Sequence, residues 1–211
     1  MAAELVRIHP DNPQMNKIRQ VVKVLEKGGL IIYPTDTVYG LGCNIFDSRA
    51  VEAIARLKGV KPEKNNFSFI CQDHSQVAEY VRQIDTPTFK LMKKAFPGPF
   101  TFILEASNAV PKLLNMKKKT VGIRMPNHQI PLLLVQELGK PLLTTSVHHN
   151  EDEIVEYETD PEEIYEKFKN VVDVVIDGGA GGNQPSTVVD LTDSSDYQVI
   201  RGGLGDFEQY R

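Results

Sequence analysis

Residues 30–42 read LIIYPTDTVYGLG. Leu30, Ile31, Ile32 and Tyr33 make a short apolar, partly β-branched run, the pattern of a buried strand. Pro34 ends it, having no N–H for a sheet ladder. Three hydroxyls and one carboxylate follow in Thr35, Asp36, Thr37 and Tyr39. Gly40 and Gly42 then let the backbone turn or approach something closely. A rigid strand that ends in hydrogen-bonding groups is a common place for a binding site.

Outward from this stretch, apolar runs alternate with helical periodicity. Leu5–Ile8 predicts a short strand and Asp11–Lys27 a helix stopped by Gly28-Gly29. Asp47 or Ser48 caps a second helix that delivers Lys58 near its end, before the polar loop KGVKPEKNN. Strands are expected at Phe67–Cys71, Phe100–Leu104, Val121–Met125, Leu142–Thr145, Val171–Ile176, Ser186–Leu191 and Tyr197–Arg201. Helices are expected at Asp73–Val81, from Thr86 to about Ala95, after Pro111, at Ile130–Leu138, and from Asp160-Pro161-Glu162-Glu163 onward. The glycine-rich GAGGNQP segment reads as a flexible loop; it lacks the GxxxxGK[ST] phosphate pattern. Several adjoining strands have no helix between them, so the fold class is α/β (α+β-like), a single-domain twisted mixed β-sheet with flanking helices, over residues 1–211.

The chain has 211 residues, 41% hydrophobic and 25% charged, enough for a real core. No apolar run approaches the ~20 residues of a membrane span. The N-terminus has no apolar signal core, and Cys43 and Cys71 lie in apolar contexts without metal spacing, so a cytoplasmic location with free thiols is expected. The formal net charge is −4. Between residues 151 and 163 stand eight acidic residues and no Lys or Arg, so the remainder is net basic. Lysines cluster at Lys58, Lys61 and Lys64, and at Lys112 and Lys117 to Lys119.

Thr35, Arg124, Ser146, Ser186 and Arg201 are expected to share one position, just after an apolar strand. Strand ends in one sheet can converge on one cleft. With Lys58 that cleft would be cationic, suited to carboxylate or phosphate. Arg124 interrupts VGIRMP and must be edge-exposed or paired. Ser146 beside His148 and His149 lacks the GxSxG elbow of a hydrolase.

Taken together, GGLIIYPTDTVYGLG, PGPFTFIL, TVGIRMP, GKPLLTTS, VDVVIDGG, PSTVVDL and IRGG resemble the YrdC-like family, the threonylcarbamoyl-AMP synthases and their relatives, in order and spacing over about residues 11–205. IHPDNP, FSFIC and TDPEE resemble its YciO branch. The resemblance implies a nucleotidyltransferase that makes threonylcarbamoyl-AMP from L-threonine, bicarbonate and ATP, with Mg²⁺ on the phosphates, for the threonylcarbamoyladenosine modification of tRNA. It implies that Thr35, Arg124, Ser146 and Ser186 hold threonine or its carbamate, and that Lys58, Thr120 and Arg201 contact ATP. The alternative it implies is a double-stranded RNA- or tRNA-binding module without synthase activity. Two positions depart from the family pattern. Its K-x-R reads Lys58-Gly59-Val60, with Lys61 or Lys64 as a substitute point charge. Its S-x-N reads Ser146-Val147-His148, an imidazole in place of an amide on the nucleotide side.

Overall fold

The computed structural model describes residues 2–62, 67–115, 119–147 and 157–210. Ten strands form one sheet: β1 Glu4–Arg7, β2 Ile31–Tyr33, β3 Gly40–Asn44, β4 Ser68–Ile70, β5 Phe100–Glu105, β6 Thr120–Arg124, β7 Leu142–Ser146, β8 Val174–Asp177, β9 Thr187–Asp190 and β10 Gln198–Arg201. Their order is β1-β8-β2-β3-β7-β4-β6-β5-β9-β10, and the pairing is mixed. Among the described residues seven α-helices flank it: α1 Met15–Glu26, α2 Ser48–Leu57, α3 His74–Tyr80, α4 Thr86–Ala95, α5 Lys112–Asn115, α6 Gln129–Leu138 and α7 Pro161–Phe168.

The helix starts follow side-chain capping. Asp47, Asp73, Asp85 and Asp160 each accept a backbone N–H from the first turn they precede. The first helix begins at Met15 rather than Asp11, because the His9 imidazole accepts the Asp11 and Asn12 N–H groups and holds that stretch as a turn. Gly40 and Gly42 do not turn the chain. They lie inside β3, where the Tyr33 ring packs over both. The GAGGNQP segment is tied down rather than loose: the Gly178 N–H donates to the Tyr39 hydroxyl, which donates to the Gly179 carbonyl, and Gly181 N–H donates to Thr159.

Strand alternation sorts the core into two clusters. On one face, Leu41, Phe69, Phe100, Phe102, Ile123, Leu143 and Val189 meet the buried sides of α2, α3, α4 and α7. On the other, Ile31, Tyr33, Ile70, Leu142 and Val174 meet α1 and α6. This second cluster covers only the half of the sheet nearest β1. Beyond it the same face carries Thr144 and Ser146 on β7, Ser68 on β4, Gly122 and Thr120 on β6, and Thr101 on β5. Thr144 and Thr101 in this floor are buried, and Ser68, Gly122, Thr120 and Ser146 half-buried.

The glycines of β3 are tested directly by adding a methyl group. A Cβ on Gly42 would lie 2.5 Å from the Leu143 carbonyl and 3.0 Å from the Tyr33 ring. Gly42→Ala is expected to destabilise the protein by about 1–3 kcal/mol in urea unfolding. Gly202, whose Cβ would meet nothing within 4 Å, is the control. Its alanine variant is expected to stay within about 0.5 kcal/mol.

Candidate functional site

This polar floor is bounded by the loop that follows β2. Thr35 sits buried in it, its hydroxyl donating to the Val38 carbonyl at 2.7 Å and lying 3.0 Å from the Thr37 hydroxyl. Strand register puts Arg124 in line with Ile70 and Leu142, while Tyr33 pairs with Gly40 at the Ser146 end. The loop nonetheless brings Thr37 and Asp36 to the guanidinium. Arg124 Nη2 donates to Thr37 Oγ1 at 2.9 Å and to Asp36 Oδ1 at 3.3 Å. Of the two readings open for Arg124, edge exposure or pairing, pairing is the one found: the residue is buried.

The remaining polar groups continue the arc. Arg201, exposed, donates Nη2 to the Ser186 carbonyl at 3.0 Å. The buried Ser186 hydroxyl lies 2.9 Å from Thr101 Oγ1. On the other side, the Val147 N–H donates to the Tyr39 carbonyl, and Lys58 Nζ to the Ser146 carbonyl at 3.4 Å. Hydrogen bonds thus join Arg201 to Ser186, Arg124 through Thr37 to Thr35, and Lys58 to Ser146, as three separate groups. Thr120 lies half-exposed on the same face, beyond Gly122, without a bond to the others. Lys61 is exposed and is not joined to the arc. His148, Lys64, Lys117 and Lys118 lie outside the described residues.

Electrostatics follow from burial and from the two arginines. Burial presses the Arg124 pKa down and the nearby Arg201 charge adds to this, while Asp36 and Tyr33 pull it back up. Guanidinium stays protonated regardless. Its Nε is buried with no hydrogen-bond partner among the described residues. An unmet buried donor on a cationic face is the chemistry of a receptor for an anion. The departure at K-x-R has a local cause. Lys58 caps α2, Gly59 takes a left-handed φ of +66°, and the Val60 N–H closes back on Ala55. This ends the helix and leaves Val60 exposed at 38%. Among the described residues, no group of three His, Cys, Asp or Glu is placed to hold a metal ion, and no helix is long and apolar enough to cross a membrane.

Sequence reasoning named Asp36 and Thr37 but gave them no task, and it passed over Ser68, Thr101 and Thr144. The signal was present. In FSF and FTF the small hydroxyl residue alternates with two core phenylalanines, so it must face away from the core.

Comparison with known proteins gives consistent neighbours. The Sua5/YciO/YrdC family model, described as "Telomere recombination", matches residues 23–203. The YciO protein of Escherichia coli (strain K12) is 44% identical over 204 residues, 96% of this chain and 97% of that protein. A threonylcarbamoyl-AMP synthase of Pyrococcus abyssi is 32% identical, over 89% of this chain and 54% of that protein. Among solved structures, E. coli YciO has a TM-score of 0.90 at 42% identity, covering 99% of this chain and 100% of that one. P. abyssi Sua5 complexed with L-threonine has a TM-score of 0.84 at 30% identity, covering 94% of this chain and 57% of that one.

The Tyr33 hydroxyl bonds Thr144 Oγ1 at 2.6 Å beneath the floor. Burial, outweighing that bond, pushes its pKa from 10.0 up to about 12. A raised value means the phenol's contribution to stability is complete below pH 10 and lost as pH rises through 12. Tyr33→Phe is expected to cost about 1 kcal/mol at pH 7, through the unmet Thr144 hydroxyl. Between pH 10 and 12 the wild type is expected to lose about 2–3 kcal/mol more than the variant, read by denaturant titration at each pH.

Proposed function

The chain belongs to the Sua5/YciO/YrdC family, and on that footing we propose that it is a YciO-type member that binds L-threonine and ATP and carries out a threonylcarbamoyl-AMP synthase-like nucleotidyl transfer. The observation that carries this is the buried Arg124 Nε without a partner, set in a cationic, hydroxyl-lined face. In the assigned roles, Arg124 takes the threonine carboxylate. Thr35, Ser146 and Ser186 hydrogen-bond its hydroxyl or carbamate. Lys58, Thr120 and Arg201 face the nucleotide, with Lys61 as the point charge that substitutes for the missing arginine.

The chemistry suits these groups. Bicarbonate supplies CO₂, which the threonine amine captures as a carbamate. A carbamate oxygen attacks the α-phosphorus of ATP, the bond from that phosphorus to the bridging oxygen breaks, and diphosphate leaves with the electron pair. Such a transfer depends on positioning two anionic partners and neutralising their charge. Mg²⁺ would enter on the nucleotide's own phosphates. The product would feed threonylcarbamoylation of RNA.

The nucleotide end is the weaker one. Lys58-Gly59-Val60 lacks a forked cation beside the phosphates, and a lysine does not reproduce the fork. Losing one charge-assisted contact costs about 1.5–3 kcal/mol, or roughly ten- to a hundredfold in nucleotide affinity.

Calorimetry on the full chain is expected to give saturable L-threonine binding, weakened about tenfold or more in Arg124→Lys. Labelled ATP is expected to yield threonylcarbamoyl-AMP and diphosphate only when threonine and bicarbonate are both present. Absent threonine binding overturns the proposal. Binding without threonine-dependent diphosphate release, under conditions where a threonylcarbamoyl-AMP synthase turns over, overturns the synthase step alone.

A further inference from the structure

Asp36 does more than neutralise Arg124. Its side chain is 10% exposed and the arginine's 9%, so both charges are out of water. One oxygen, Oδ1, faces Nη2 at 3.3 Å. The other, Oδ2, accepts the Asn127 backbone N–H at 2.9 Å. One carboxylate thus joins the loop after β2 to the loop after β6, the strand that carries Arg124. Thr37, fully buried and itself held by Thr35, supplies the second acceptor for Nη2 at 2.9 Å. Both restraints meet on one corner of a rigid plane, and Nε is left without a partner. Fixing one nitrogen of a guanidinium fixes the direction of the rest.

We propose that Asp36 is the positioning residue of this site: it orients the Arg124 guanidinium so that its unmet Nε–H is aimed at the carboxylate of an amino-acid ligand. This rests on the threonine reading above. Charge balance agrees with it. Arg124 and Arg201 lie near enough for one charge to bear on the other, and Asp36 is the carboxylate set against them. A ligand carboxylate supplies the second negative charge. His128 also faces Asp36, with Asp11 close to it.

Two effects of removing the Asp36 charge oppose each other, and their signs differ. A site that lost only a negative charge would attract an anion more strongly. A site that lost the hold on its receptor would bind a carboxylate more weakly. The second is expected to win, because a buried cation stripped of its partner does not stay where it was. It moves toward water, and a displaced guanidinium no longer aims its unmet donor at the carboxylate.

The test uses the full chain and two ligands, L-threonine and L-threoninol, which replaces the carboxylate with an alcohol. Asp36→Asn is expected to weaken L-threonine about tenfold or more in calorimetry. L-Threoninol binding is expected to stay within about twofold, since the other contacts are untouched. Tighter or unchanged threonine binding overturns the proposal, and so does equal loss for both ligands, the mark of a structural role. Should Asp36→Asn not fold, Asp36→Glu supplies the test. It keeps the charge on a longer tether and is expected to lower the threonine-over-threoninol preference about threefold or more; an unchanged preference overturns the proposal. A wild type that binds neither ligand overturns the threonine reading and this inference together. A wild type that binds threonine while the variants keep its preference overturns this inference alone.

Discussion

A guanidinium taken out of water inside a β-strand must be met by acceptors, and the site is arranged around that requirement. Arg124 finds Asp36 and Thr37 on a loop that leaves the sheet four strands away, after β2. The loop can reach because Pro34 ends the strand and because the Thr35 hydroxyl closes a tight local bond with the Val38 carbonyl. Without this meeting the loop would have no buried polar anchor and the strand would carry an unpaired charge. Replacing the arginine by an apolar residue would be easier on stability. Its retention, with one donor unmet, points to use rather than to scaffolding.

The second constraint is steric. A sheet with helices over most of one face and part of the other lines the remainder with something other than core side chains. Glycine, serine and threonine do this. Gly42 lets the Tyr33 ring lie flat on β3, and Gly122 clears the space beside Ser68 and Thr101. The phenol in turn holds Thr144 from below. Polar groups on this floor are therefore supported by packed groups one layer down, which keeps the face shaped in the absence of a ligand.

Most of the fold was legible because local chemistry and global pattern agree. The aspartate caps, Pro87 and Pro161 in first turns, and the alternation in FTFIL each name their element without tertiary help. What could not be read was set by partners far away in sequence. The strand character of Gly40–Asn44 depends on β2 and β7 on either side, and glycine-rich sequence by itself argues against a strand. The pairing of Arg124 with Asp36 spans 88 residues and leaves no periodic trace. Residue types at the site could be chosen from sequence; which acceptor meets which donor could not.

The path from β8 to β9 also has a geometric consequence. Seven strand-to-strand steps separate them in the sheet, and only residues 178–186 connect them. At about 4.8 Å per strand a flat sheet would need roughly 34 Å. At about 3.3–3.6 Å per residue that is nearly all a straight chain can give, yet this segment spends length touching Tyr39, Thr37 and Thr159 on the way. The sheet must therefore curl like a cupped hand, with this connection as the cord across the palm. The number of residues in the cord fixes how wide the hand can open.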